Sequence, residues 1–148
     1  MGGRYRMTVA LATIRDKKKI EKYDSQIPPN RLGECINNNL VYVLRGEESG
    51  GAIVGILRYS LFWQSIPFID RLYIDEAYRG KGYGTLMMGY WEKAMRRMQY
   101  RYGMLSTQED ETAKFFYENL GYKKIGAFLP PEQSAHELIY IKSLSMAV

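Results

Sequence analysis

The sequence predicts an α/β fold of about seven strands and four helices in the order βααβββαβαββ. Three observations predict it. Short apolar runs alternate with period two, four other stretches repeat at three and four, and one strand-like run passes through a basic glycine turn straight into the longest helical stretch. With 148 residues and no linker-like segment, residues 1–148 are expected to form a single domain with a sizeable core.

Met7, Val9 and Leu11 alternate with Arg6, Thr8 and Ala10, so Arg4 to Thr13 reads as a half-buried strand, with Met1-Gly2-Gly3 frayed ahead of it. Asp16 is placed to cap a short helix reaching about Asp24, with Ile20, Tyr23 and Ile27 at helical spacing and Lys17-Lys18-Lys19 facing water. Pro28-Pro29 breaks the chain. Pro29 then opens a second helix carrying Leu32, Cys35 and Ile36, which Asn37-Asn38-Asn39 ends. Leu40 to Arg45 and Ala52 to Tyr59 form a hairpin around the polar turn Glu47 to Gly51. Leu61 to Pro67 reads as a connection of unusual composition: Phe62 and Trp63 either plug an end of the core, form a binding lip, or contact a second copy.

Phe68 to Ile74 is the strand that feeds the glycine turn. From Thr85 to about Gln99, Met87, Met88, Trp91, Ala94, Met95 and Met98 mark the principal helix, and Arg96, Arg97 and Arg101 near its C-terminal end complement the dipole. Tyr102 to Thr107 is a strand. Asp110 caps a helix in which Ala113, Phe116, Tyr117 and Leu120 share a face, with Gly121 at C′. Lys123 to Ala127 and His136 to Ser143, separated by Pro130-Pro131, complete the sheet.

A net charge of +5 and a pI near 9.2 admit a nucleic-acid partner as readily as a phosphate-rich ligand. The single cysteine, Cys35, and the single histidine, His136, exclude an intramolecular disulfide and leave a structural zinc site without ligands; Cys35 fits core packing. No long apolar run signals export or membrane insertion, and a reducing cytoplasm is the expected setting.

The segment from Asp70 to Thr85 organises the chain. Glycines at 80, 82 and 84 permit positive φ and close backbone approach, the N–H groups of the following helix start are unpartnered, and Arg79 and Lys81 add charge; together these suit a pyrophosphate. The P-loop pattern is excluded because Lys81 lies between glycines. The dinucleotide fingerprint fails because Thr85 and Met87 stand where its last glycine belongs.

Arg79-x-x-Gly82-x-Gly84 resembles the Gln/Arg-x-x-Gly-x-Gly/Ala signature of the GNAT superfamily of acetyl-CoA-dependent N-acetyltransferases. Downstream, Asp110-Glu111-Thr112-Ala113-Lys114-Phe115-Phe116-Tyr117-Glu118-Asn119-Leu120-Gly121-Tyr122 is similar to that family's Asn-x-x-Ala-x-x-Leu/Phe-Tyr-x-x-x-Gly-Phe block, with Asp110 replacing the usual asparagine. The resemblance extends over nearly the whole chain. It implies a single mixed sheet splayed at the cofactor site, acetyl-CoA as cosubstrate and a primary amine as acceptor. It also implies that Leu72, Tyr73, Ile74, Arg79, Gly80, Lys81, Gly82, Tyr83, Gly84, Thr85, Ala113, Phe116 and Tyr117 contact the coenzyme, with an oxyanion-binding amide near Tyr73 or Ile74. Tyr117 matches the family's general acid, and Asp70 lies where many members carry a base, with Glu76 and Glu109 as alternatives. No metal and no nucleic-acid or membrane partner is expected, and a homodimer is possible. Two other functions stay open: a non-catalytic coenzyme A sensor, and a basic nucleic-acid-binding module, against which the tyrosines are scattered.

Overall fold

The computed structural model describes residues 6–47 and 50–145; the expected fraying of Met1-Gly2-Gly3 and the middle of the Glu47 to Gly51 turn lie outside the described residues. The elements in chain order are β1 (Met7–Leu11), α1 (Lys17–Glu21), α2 (Pro29–Asn37), β2 (Val41–Gly46), β3 (Ile53–Phe62), β4 (Ile66–Ile74), α3 (Tyr83–Arg97), β5 (Tyr102–Gln108), α4 (Ala113–Asn119), β6 (Lys123–Phe128) and β7 (Glu137–Ser143), with 3₁₀ turns at Ile14–Asp16 and Glu76–Tyr78. This is the expected order. The strands form one mixed seven-stranded sheet, β1-β2-β3-β4-β5-β7-β6.

The chain divides into two compact units, one comprising residues up to Tyr59 with Arg71–Trp91, the other Ser60–Asp70 with the residues from Glu92 onward. In the first unit β1 and β2 pair antiparallel from Met7↔Gly46 to Leu11↔Tyr42, and β2 and β3 pair antiparallel around Val43↔Ile56. Its core gathers Ala12, Ile20, Leu32, Ile36, Val41, Val43, Ile53 and Ile56, with Tyr23, Ile27, Cys35 and Tyr73 packed against it. Pro29 opens α2 as expected, because its missing N–H and fixed φ cost nothing at a first helical position.

Asp16 holds the N-cap position of α1 as expected, but its side chain makes no bond to the start of that helix. Its carboxylate instead accepts from the Thr13 N–H at 2.9 Å and pairs with Arg45 at 2.6 Å, so it fastens the start of the first helical segment to β2. Deeper in this unit Arg58 Nε donates to Asp24 Oδ2 at 2.7 Å, both side chains being buried.

In the second unit β4 and β5 run parallel through Phe68↔Met104 and Ile69↔Leu105, while β7 pairs antiparallel with β5 and with β6. The expected connection from Leu61 to Pro67 is mostly strand. β3 continues through Phe62 and β4 begins at Ile66, so that only Trp63-Gln64-Ser65 turns the hairpin, with φ of 55° at Trp63 and 59° at Gln64. Trp63 is 80% exposed and therefore plugs no core. It borders an apolar basin of about 650 Å³ whose other walls include Phe62, Phe68, Ile125, Phe128 and Ile139.

Glu92, on α3, is the polar centre of this unit. The Tyr122 hydroxyl donates to its Oε2 at 2.8 Å, Lys142 Nζ to its Oε1 at 2.8 Å, and Arg96 lies 3.6 Å away. Burial, then the charge and hydrogen bond of Glu92, push the Tyr122 phenol far above its usual pKa.

Candidate functional site

In the first unit, Arg71 to Thr85 form one continuous structural feature. β4 ends at Ile74, and Asp75 caps the 3₁₀ turn that follows by accepting from the Ala77 N–H at 3.0 Å. Arg79 Nε returns to donate to the Ile74 carbonyl at 2.8 Å, which fixes the spacing between strand end and loop. Gly80 and Gly82 have φ of 74° and 85°, a conformation costly for residues with a Cβ. A Cβ built on either meets nothing within 4 Å, so the space above the loop is open to a ligand.

The helix starts two residues before the expected Thr85. The first intrahelical bond runs from the Leu86 N–H to the Gly82 carbonyl at 3.0 Å, placing Tyr83, Gly84 and Thr85 in the first turn of α3. Gly84 is therefore helical and is not among the positive-φ glycines; its use is the absence of a side chain on the turn whose N–H groups are unpaired. A diphosphate fits this combination of open loop, helix start and the charges of Arg79 and Lys81.

Leu72, Tyr73 and Ile74 occupy the last three positions of β4. Tyr73 is half-buried, with the Arg71 and Arg79 guanidinium carbons each 4.9 Å from its ring centroid and the Tyr23 ring 5.5 Å away. The Tyr23 hydroxyl donates to Asp75 Oδ2 at 2.9 Å, and the Tyr23 carbonyl accepts from Arg71 Nη2 at 2.9 Å. Desolvation, and then Asp75, raise the Tyr23 phenol to about 12. In the sequence Tyr23 carries only the signal of helix-spaced apolar packing and Arg71 carries none, because their partners lie 48 and 52 positions apart, beyond any local pattern.

In the second unit, α4 carries Ala113, Phe116 and Tyr117 on its inner side and Phe115, Glu118 and Asn119 outside. Thr112, not Asp110, occupies the N-cap, and Asp110 lies in the preceding turn; Gly121 with φ 95° and the Tyr122 N–H on the Tyr117 carbonyl at 3.1 Å close the helix as expected. Tyr117 is 8% exposed, and its hydroxyl has no hydrogen-bond partner among the described residues, in contrast with Tyr122, which is committed to Glu92. Burial, and then the Glu111 charge, raise the Tyr117 phenol to about 12. Asp70 is exposed on β4. Of the alternative bases, Glu76 is exposed in the 3₁₀ turn, whereas Glu109 lies 3.9 Å from His136.

The acetyltransferase (GNAT) family model matches residues 9–122. The chain belongs to that family. It is accordingly an acyltransferase that uses acetyl-CoA. Among solved structures, the NatC complex bound to Gag peptide and CoA matches with a TM-score of 0.81 and 18% identity over 95% of this chain and 99% of that one. Ard1 from Thermoplasma volcanium matches with a TM-score of 0.82 and 16% identity over 95% and 99%. The ribosomal-protein-S18-alanine N-acetyltransferase from Escherichia coli matches with a TM-score of 0.77 and 14% identity over 97% of each chain. No curated protein sequence matches this acetyltransferase. Among the described residues, no helix is long and apolar enough to cross a membrane, and no group of three or more His, Cys, Asp or Glu side chains is placed to hold a metal ion.

Proposed function

We propose that the 148 residues act as one N-acetyltransferase domain that moves the acetyl group of acetyl-CoA directly to a primary amine. The observation that carries the reading is the Gly80–Gly82 loop, left-handed at both glycines, open above them and leading into the first turn of α3. Arg79 to Thr85 would hold the diphosphate, and the backbone of Leu72 to Ile74 would lie along the pantetheine arm, with an N–H of Tyr73 or Ile74 donating to the acyl oxygen as it gains charge. Ala113 and Phe116 complete the proposed coenzyme contacts. When bound, acetyl-CoA supplies the acyl thioester.

Tyr117 is the proposed donor to the departing sulfur. At a pKa of about 12 the phenol stays protonated at neutral pH, but its full proton transfer to a thiolate whose acid has a pKa near ~8.5 is uphill. Its role is therefore a hydrogen bond that strengthens as negative charge develops. Asp70 is the proposed acceptor of the amine proton, directly or through water; its surface exposure supports access. A pH–rate profile of Asp70→Asn that overlays the wild type would remove that role.

One structural neighbour is a NatC complex bound to a Gag peptide and another is named as a ribosomal-protein-S18-alanine N-acetyltransferase, which puts α-amines of peptides first in an acceptor screen. The setting we propose is cytoplasmic. A homodimer is the oligomeric state we propose, to be tested by sedimentation at micromolar concentration.

The test is thermal unfolding with acetyl-CoA, with NAD and ATP as controls, followed by thiol release with a panel of amines. Acetyl-CoA at 100 times its dissociation constant adds about 2.7 kcal/mol of stability. Stabilisation with thiol release establishes the reading, stabilisation without turnover of any amine favours the coenzyme A sensor, and no stabilisation rejects both.

A further inference from the structure

Two positive charges sit against one tyrosine ring in the first unit, and among the described residues neither has a carboxylate within ion-pair distance. Arg71 and Arg79 approach Tyr73 equally, at 4.9 Å. Arg71 gives one N–H to the Tyr23 carbonyl at 2.9 Å, and its buried Nε has no hydrogen-bond partner among the described residues. Arg79 gives Nε to the Ile74 carbonyl. Two acids of this unit are already engaged: Asp24 accepts from Arg58 at 2.7 Å, and Asp75 accepts from the Tyr23 hydroxyl at 2.9 Å and the Ala77 N–H at 3.0 Å. The aromatic face offsets part of the charge, but the Arg71 Nε–H is left as a buried donor without an acceptor among the described residues.

A half-buried arginine is expensive to keep in this state unless an anion arrives to use it. Arg71 and Tyr73 lie on one face of β4, two positions and ~7 Å apart. They flank Leu72, on the same short segment whose backbone is proposed to hold the acyl group. Resting on that proposed site, we infer that Arg71 recognises a carboxylate on the acceptor, Arg79 being left to the diphosphate. The preferred acceptor is then an amine with a carboxylate a few bonds away: a free amino acid, or a peptide whose first residue is Asp or Glu. A guanidinium fork binds a carboxylate through two parallel N–H bonds, and the same cation repels a polyamine.

The test compares two acid–neutral pairs of acceptors, alanine against alaninamide and Glu-Ala-Ala against Gln-Ala-Ala, in the wild type, Arg71→Gln and Arg71→Lys. For at least one pair kcat/KM should favour the acid by about 10–100-fold in the wild type. The preference should collapse in Arg71→Gln and survive in part in Arg71→Lys. Taking the ratio of wild type to variant cancels the intrinsic difference between the two amines. Acetyl-CoA should stabilise all three proteins against heat equally, which also shows that the variants are folded.

Preference in the amino-acid pair alone identifies a small-molecule acceptor, and preference in the peptide pair alone identifies an acidic N-terminus; both support the inference. No acid preference, no turnover of any of the four amines, or a preference untouched by Arg71→Gln overturns it while leaving the acetyl-CoA site intact. Loss of acetyl-CoA stabilisation in Arg71→Gln also overturns it, by assigning the charge to the coenzyme's phosphates. A wild type that acetyl-CoA does not stabilise overturns the proposed function first and this inference with it.

Discussion

Replacing Glu92 with alanine should be among the most damaging single changes in the second unit. The substitution takes the acceptor from the Tyr122 hydroxyl and from the Lys142 ammonium, both at 2.8 Å, with Tyr122 only 2% exposed and the Lys142 side chain 23% exposed. A buried donor left without an acceptor costs about 1–3 kcal/mol, and breaking a buried charge pair from one side costs about 3–5 kcal/mol. Arg96, 37% exposed and 3.6 Å distant, contributes little after screening. Lys142 can turn partly toward water, so the whole effect is about 3–5 kcal/mol rather than the sum of the two. At this chain length that lowers Tm by roughly 8–15 °C. Urea and thermal unfolding would measure it, and a double-mutant cycle with Tyr122→Phe should give a coupling of at least about 1 kcal/mol. If Glu92→Ala lies within about 1 kcal/mol of the wild type, or if the cycle shows no coupling, the network is surface decoration and the reasoning fails.

Tyr117→Phe should lower turnover roughly 10²-fold while acetyl-CoA stabilisation is retained; unchanged turnover would remove the donor role. The same residue predicts an alkaline effect. Tyr117 holds its proton to about 12 when folded, against about 10 in the unfolded chain, so its contribution is complete below pH 10 and is lost as pH rises to about 12. Unfolding of Tyr117→Phe should therefore depend less steeply on pH in that window, which equal slopes would contradict. Gly55→Ala should cost about 1–3 kcal/mol by chemical denaturation. The added Cβ would meet Ile74 Cδ1 at 2.8 Å, and Leu44 Cβ and the Tyr73 carbonyl oxygen at 3.3 Å. A neutral outcome would mean that β4 yields more readily than its packing implies.

The order of elements and the glycine loop were legible because each rests on local chemistry. Pro29 at a helix start, Gly121 at a helix end and the Gly80–Gly82 turn require particular backbone angles that few residue types provide. Other features depend on distant partners. Glu92 reads as one more charged residue between Trp91 and Lys93, and only folding brings Tyr122 and Lys142, 30 and 50 positions away, onto its carboxylate. The Trp63 turn is hidden for a different reason: its two left-handed residues are Trp63 and Gln64, without the Gly or Asn that announces such a turn. Asp16 stands at the N-cap of α1 as its position predicts, but its carboxylate is taken by the Thr13 N–H and by Arg45, 29 positions away. Arg71 stayed invisible as a binding group because its meaning lies in what it does not meet.

The two tryptophans stand at opposite extremes of solvent access, Trp91 at 0% and Trp63 at 80%. The molecule thus carries two built-in optical reporters of separate character. Trp91, wedged edge-on against Tyr59 at 5.8 Å, should emit at short wavelength and resist collisional quenchers, whereas Trp63 should emit at long wavelength and be quenched almost freely. Trp63→Phe would leave one shielded fluorophore on the helix that begins at the glycine loop, and its emission would follow ligand-induced repacking there without any attached label.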